Sequence, residues 1–258
     1  EHPALVRAPL HDWAPCGSRM YWHPPRREDE APMLVSGGAI GRSLVYPPVA
    51  LFESPFMVID LETGENVPYQ LSLLRDHEAA KPFAAERAAL GKVDRSNLTD
   101  LVFVANGLPS MGYKTYRIVP CQRWPEFPRR SSVGATTLEN RFFRLEVSAD
   151  TGEVTSLLDK ELGRELVDPE APYPFGRLIS RWLETGEVEV AQVHAVSVIE
   201  DGPLFSTVRL KGAGAGCPSW VQEIALHHEL KQVDVCNRVL RDSTPMLDLH
   251  FAFPFSVE

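Results

Sequence analysis

Nowhere in the 258 residues does an apolar run approach the roughly 20 residues that a membrane-spanning helix needs, so no membrane partner is predicted. Basic charge is short as well. Lys and Arg together number 26 against 35 Asp and Glu, for a formal net charge of -9. A protein that neutralises nucleic-acid phosphates needs the opposite balance. Lysine is the scarcer cation, 6 against 20 arginines, a bias that points to a GC-rich bacterial source. Only four cysteines occur, Cys16, Cys121, Cys217 and Cys236, with no C-x-x-C pair. They read as reduced structural thiols of a cytoplasmic protein. A zinc site from Cys217, Cys236 and His227 or His228 would need spacings that match no ligand pattern, so no metal residue is assigned. The N-terminus, Glu1-His2-Pro3-Ala4, lacks the basic and apolar regions of a secretion signal. It reads as the start of a segment trimmed or cut from a longer protein.

Catalytic motifs are missing too. There is no G-x-S-x-G elbow for a serine nucleophile. A glycosidase needs two carboxyls about 5–9 Å apart across a sugar site. Asp159 and Glu161 fall instead in the turn Leu158-Asp159-Lys160-Glu161-Leu162-Gly163-Arg164, where a surface turn with local ion pairs explains them. No catalytic residue is nominated. Gly212-Ala213-Gly214-Ala215-Gly216 lies between two strand-like runs rather than between strand and helix, so it is predicted as a flexible hairpin loop and not a phosphate cradle. His227-His228-Glu229 is predicted as a strand end with one exposed ring, because adjacent strand residues face opposite ways. His250 is expected to be a solvated or inter-sheet polar residue. The sequon Asn97-Leu98-Thr99 is read as a chance occurrence.

What the sequence does have is alternation. Strands are predicted at 57–61 and 67–73, joined by the turn Glu62-Thr63-Gly64-Glu65-Asn66, and again at 101–105 and 113–119. Residues 82–90, opening with Pro82 and followed by Gly91, are predicted as one short surface helix. Residues 1–37 show no period and are predicted as an irregular arm anchored by Trp13, Tyr21 and Trp22. The proline-rich stretch within 121–137 is predicted as a linker, after a small β domain at 38–120. From 138 to 258 the β signal strengthens. Phe143, Leu145 and Val147 alternate with Arg144, Glu146 and Ser148, and Asp150-Thr151-Gly152 turns the chain into the next strand. Trp220, Ile224 and Leu226 share one face, as do Val233, Val235 and Val239. Leu247, Leu249, Phe251, Phe253 and Phe255 share another. The predicted class is all-β, a small β domain followed by a large antiparallel sandwich.

The passage from Leu138 through Asn140, Phe143 and Val147, continuing through Asp150-Thr151-Gly152 to Asp159-Lys160 and Gly163-Arg164-Glu165-Leu166, resembles the opening of the C-terminal domain of family 38 α-mannosidases. Pro109-Ser110-Met111-Gly112-Tyr113, Gly202-Pro203-Leu204 and the closing Phe253-Pro254-Phe255 resemble flanking parts of the same region. The resemblance implies a β-supersandwich of galactose mutarotase-like type, incomplete at 258. It implies a non-catalytic C-terminal region of a glycoside hydrolase of mannose metabolism. The family's zinc and aspartate nucleophile sit in an N-terminal barrel, and nothing here carries that barrel's motif, so no cofactor is assigned to this chain. The implied partner is the N-terminal catalytic domain, with mannose-containing glycans as a further contact. A free-standing carbohydrate-binding or structural module stays open as the alternative. Sugar modules stack rings on sugars, which makes Tyr173, Trp182 and Trp220 the carbohydrate-contact candidates, against packing in the core.

Overall fold

A computed structural model of the chain describes residues 4–10, 33–35, 55–73, 99–109, 113–129, 131–242 and 246–256. The described residues are all-β, with no helix among them. The expected helix at 82–90, the anchors Trp13, Tyr21 and Trp22, and Asn97 lie outside the described residues. The chain divides into two compact units, Glu1–Pro128 and Arg129–Glu258.

The first unit holds β1 (Ala4–Leu10), β2 (Met33–Val35), β3 (Phe56–Asp60), β4 (Tyr69–Leu73), β5 (Thr99–Ala105) and β6 (Thr115–Pro120). β1 and β2 fall inside the segment read from sequence as an irregular arm. Their pairing partners explain why local pattern missed them: β1 lines up along β5 from Ala4↔Ala105 to Leu10↔Thr99, and β2 is a three-residue edge on β6. The turn after β3 forms as predicted, with Gly64 at φ 72°. It does not make a hairpin of β3 and β4, however. β3 pairs with β6 and β4 with β5, in separate three-stranded sheets ordered β2-β6-β3 and β1-β5-β4. The two share a core of Phe56, Val58, Tyr69, Leu101, Phe103, Tyr116 and Ile118. Phe56 and Tyr69 stack at 4.7 Å, and the Tyr69 hydroxyl donates to the Phe56 carbonyl at 2.7 Å. Trp124 and Phe127, from the proline-rich stretch, set ring edges on Phe56 and Tyr69.

One ion pair is buried in this unit. Lys114 Nζ lies 2.8 Å from Asp60 Oδ2, with side chains only 6% and 9% exposed. The ammonium also donates to the Asn106 carbonyl, and Asp60 Oδ1 accepts the Glu62 N–H. Alternation places Lys114 on the core side with Tyr116 and Ile118, so its charge is tolerable only because Asp60 meets it.

The second unit contains three antiparallel sheets around one core. Five short strands, β7 (Ser132–Val133), β8 (Thr137–Glu139), β9 (Phe143–Val147), β10 (Val154–Asp159) and β11 (Arg164–Glu165), form a meander. A three-stranded sheet is ordered β13-β12-β18, from β12 (Leu178–Trp182), β13 (Val188–Val190) and β18 (Leu247–Phe251). The long strands β14 (Gln192–Asp201), β15 (Phe205–Gly214), β16 (Cys217–His227) and β17 (Val233–Leu240) lie side by side in chain order. Leu138, Leu145, Leu178, Val208, Leu210, Trp220, Ile224 and Leu226 bring all three sheets to the shared core, a β-sandwich arrangement.

β9 keeps the predicted alternation, with Phe143, Leu145 and Val147 buried. Between β9 and β10, Gly152 holds φ 66°, and a Cβ there would strike Val193. The buried Arg177 guanidinium donates to the carbonyls of Ala191 and Thr151, tying that turn to the start of β14. The glycine-rich run is not a flexible loop. β15 continues to Gly214 and β16 begins at Cys217, leaving a two-residue turn with Gly216 at φ 65°. Gly212 and Gly214 are glycine because a side chain would run into Gln192, Trp220 and Ala191. The predicted apolar row of β18 also needs correction at its end. Leu247 is buried, with Leu249 and Phe251 packed on the core, whereas Phe253 and Phe255 lie beyond the strand and are exposed, touching the Phe175 ring by their edges. β17 differs likewise: Val235 and Val239 share the core-facing side but are exposed on the outermost described strand of the sheet.

Candidate functional site

The three aromatic candidates do not form one platform. Trp220 is 2% exposed, within the core. It sits opposite Gly212 in the β15–β16 ladder, where the ring fills the space a Cβ would take. A ring so enclosed offers no face to a sugar. Trp182 ends β12 in the same parity as the core residues Leu178 and Ser180, which sets it on the inward side, half-buried and opposite the buried Leu247. Tyr173 is half-buried in the turn before Phe175.

The histidine pair is a second correction. His227 and His228 are 0% and 1% exposed, so neither ring is the exposed one expected. They do face different neighbours. His227 Nε2 meets Asp234 Oδ2 at 2.8 Å, and its Nδ1 is buried without a hydrogen-bond partner. His228 Nε2 meets Ser206 Oγ at 3.1 Å, and its Nδ1 lies 3.2 Å from the Pro203 carbonyl. The β14–β15 turn meets the strand end at His228, whose N–H donates to the Leu204 carbonyl, while the Phe205 ring lies 5.8 Å from that of His227.

Ser206, His228 and Asp201 thus meet although sequence spacing gave no hint of it. Their arrangement is not a hydrolytic triad. The carboxylate, Asp201 Oδ1, accepts from Ser206 itself at 3.3 Å and does not touch the imidazole. A carbonyl stands where the orienting carboxylate belongs, and Ser206 is buried from any substrate. Burial lowers the His228 pKa, a shift that the hydrogen bond to the Pro203 carbonyl opposes but does not reverse. The folded state therefore prefers the neutral ring. Stability from this group is present above the ordinary histidine range and falls as pH drops below it. Between pH 7.5 and 5, the urea midpoint of the wild type should fall more than that of His228→Asn. Parallel pH profiles for the two proteins would rule out this role.

Asp159 and Glu161 are tied to a distant cation as well as to their own turn. Asp159 is buried, with Oδ1 accepting the N–H groups of Glu161 and Leu162. Lys231, from the β16–β17 turn, reaches Asp159 at 2.9 Å and Glu161 at 2.8 Å. Its hydrogen bond and charge hold Asp159 below the usual carboxylate range, against the opposing effect of burial. Both carboxyls thus share one ammonium, an ion-pair cluster that ties the 159–164 turn to the β16–β17 turn. Cys217 donates its thiol to the Ser219 carbonyl, and both His228 nitrogens are engaged. No group of three metal-ligating side chains occurs among the described residues.

The surface carries a different signal. On the three-stranded sheet, the register pairs Ile179 with Val190 and His250, and Arg181 with Val188 and Asp248. Leu183 and Met246 continue the same face, the Leu183 N–H donating to the Met246 carbonyl. Leu183, Val188, Val190 and Met246 are all exposed, around an Arg181–Asp248 pair at 2.7 Å. Exposed apolar side chains gathered on one face make this the candidate contact surface among the described residues.

Residues 138–258 match the family described as the glycosyl hydrolases family 38 C-terminal domain. Among solved structures the chain is similar to an alpha-mannosidase from Enterococcus faecalis V583, at 12% identity and a TM-score of 0.48, over 78% of this chain and 26% of that one. It is also similar to a protein in glycosyl hydrolase family 38 from Enterococcus faecalis, at 10% identity and a TM-score of 0.48, over 77% and 27%. The chain therefore spans about a quarter of the length of either. No curated protein sequence matches it.

Proposed function

We propose, from the family 38 C-terminal domain at residues 138–258, that this chain is the non-catalytic C-terminal region of an α-mannosidase-like glycoside hydrolase. Its role is to pack against and support the catalytic domain, which would carry the zinc and the nucleophile. The observation that carries this reading is the exposed apolar face of Leu183, Val188, Val190 and Met246 around Arg181 and Asp248. A surface of that kind suits a large neighbouring domain better than a polyhydroxylated sugar, which asks for open aromatic faces with polar side chains at their rim. Trp220 is enclosed and Trp182 lies on the inward side, which further favours the supporting role over that of a mannose-binding module. The free thiols of Cys121, Cys217 and Cys236 suit a reducing cytoplasm.

The purified chain is expected to leave aryl α-mannosides intact with or without added zinc, and to bind mannose or mannobiose only at millimolar levels in NMR titrations. Zinc-dependent turnover by the pure chain would sink the non-catalytic reading. Saturable micromolar shifts with mannobiose would promote the binding module in its place. Val188→Lys should weaken association with the separately produced catalytic portion and leave the chain's own unfolding midpoint unchanged.

A further inference from the structure

The two edges of the four-stranded sheet are built differently. β14 carries two register shifts against β15, between Val193 and Ala195 and between Val198 and Glu200, and such bulges blunt an edge. β17 has none: its ladder with β16 runs unbroken from Leu226↔Val233 to Ser219↔Leu240. Its sequence, VDVCNRVL, contains no proline or lysine. The His227 N–H donates to the Gln232 carbonyl, so by alternation Asp234, Cys236 and Arg238 turn their backbone groups toward β16. Val233, Val235, Asn237 and Val239 turn theirs outward. Among the described residues no strand pairs with this edge, and Val235, Val239 and Leu240 are exposed along it. β17 is thus a straight, eight-residue template whose outer row of donors and acceptors suits another strand.

The strand also complements itself. Laid antiparallel against a second β17 with Cys236 opposite Cys236, it sets Asp234 across from Arg238 at two symmetric places, Val233 across from Val239, and the outward-facing Val235 across from Asn237. Shifting the register by one allowed step either way removes both opposite-charge pairs. The two charged residues lie on the polar face of the sheet beside Glu223, which already receives Arg238 at 2.7 Å. The valines lie on the core side, so pairing would shield them. Because Cys236 turns its backbone groups toward β16, its pairing with itself is a non-hydrogen-bonded one, where Cα atoms stand about 4.5 Å apart, within disulfide range.

We propose that β17 is a self-association edge, and that two copies of this chain join there into one continuous eight-stranded antiparallel sheet with Cys236 on the twofold axis. This goes beyond the supporting role above and does not depend on it. Sedimentation or light scattering of the full chain at micromolar concentration should give a dimer. Val235→Pro removes an outward N–H while leaving every bond to β16, and should raise the dimer dissociation constant by about a hundredfold. Mild oxidation with diamide, which takes up the two electrons and two protons released by the thiols, should cross-link the wild type into a covalent dimer. Cys236→Ser should abolish the cross-link and keep the non-covalent dimer. The cross-linking arm needs only folded wild type, so it decides the matter even if the proline variant fails to fold. A monomer at these concentrations, or a dimer that diamide does not cross-link through Cys236 and that Val235→Pro leaves as tight as before, would overturn the proposal.

Discussion

Gly212→Ala is expected to destabilise the second unit by about 3 kcal/mol, the upper part of the range for overpacking a core. The reason is space, not backbone freedom. Gly212 lies outside the left-handed region, so alanine suits its φ. The added methyl would nonetheless run into the Gln192 carbonyl oxygen and stand 2.6 Å from Trp220 Nε1. The first obstacle is the backbone of β14. The second is a ring wholly enclosed by the core, with its Nε1–H already lacking a partner. Neither can yield without parting β14 from β15 or turning Trp220 out of its site. Gly163→Ala is the control. Gly163 has φ 63° and nothing within 4 Å of an added Cβ, so only the left-handed penalty of about 1–2 kcal/mol applies. Urea unfolding followed by near-ultraviolet circular dichroism would separate the two. Equal losses at both positions would show that the close approach at Gly212 is not what selects glycine there.

Asp60→Ala should cost the first unit about 3–5 kcal/mol, because it leaves the Lys114 ammonium buried with only the Asn106 carbonyl and the more distant Glu62. Asp60→Ala combined with Lys114→Met should recover most of that loss, since removing both charges removes the uncompensated one. The pair also sets a pH window. Burial pushes the Asp60 carboxyl up, but the hydrogen bonds from Lys114 and the Glu62 backbone, with the lysine's charge, bring it below its ordinary value. Its contribution is present above the usual aspartate range and is lost as pH falls through the folded value. Lys114 is raised by its hydrogen bond to Asp60, against desolvation. Its contribution is present below the usual lysine range and is lost as pH rises through the folded value. The wild-type advantage over the double variant should therefore be flat across neutral pH and shrink at both extremes. A double variant as unstable as Asp60→Ala would place the cost elsewhere, in the 61–65 turn that Asp60 also organises.

The parts of this fold that were legible in the sequence are those fixed by neighbours along the chain. Phe143, Leu145 and Val147 announce β9 because burial on one face imposes a period of two, and Gly152 announces the turn because only glycine fits that φ. Pairing across distance left no such mark. The turn after β3 was legible, yet β3 and β4 join different sheets, and nothing in 56–73 encodes which strand each will meet. Gly212 and Gly214 looked loose because a glycine that yields to a neighbouring ring has the same letter as one in a flexible loop. Trp220 and Trp182 sat on strands whose inward parity could be guessed, but enclosure depends on what arrives from elsewhere. The meeting of Ser206, His228 and Asp201 was invisible for the same reason. The exposed face of Leu183, Val188, Val190 and Met246 went unread because its members come from β13 and from just beyond the ends of β12 and β18, where no alternation marks them.

The three-stranded sheet has one more consequence, and it concerns time. Most strands of the second unit pair with a neighbour made just before or after them, but β12 completes its sheet with β18, and Arg181 and Asp248 are 67 residues apart. At roughly 5–20 residues per second of synthesis, β12 waits several seconds with one side unpaired before β18 emerges. During that interval the nascent chain presents Leu178 and Ile179 to whatever is nearby, so a pause in translation between these strands would lengthen the period in which this protein most needs a chaperone.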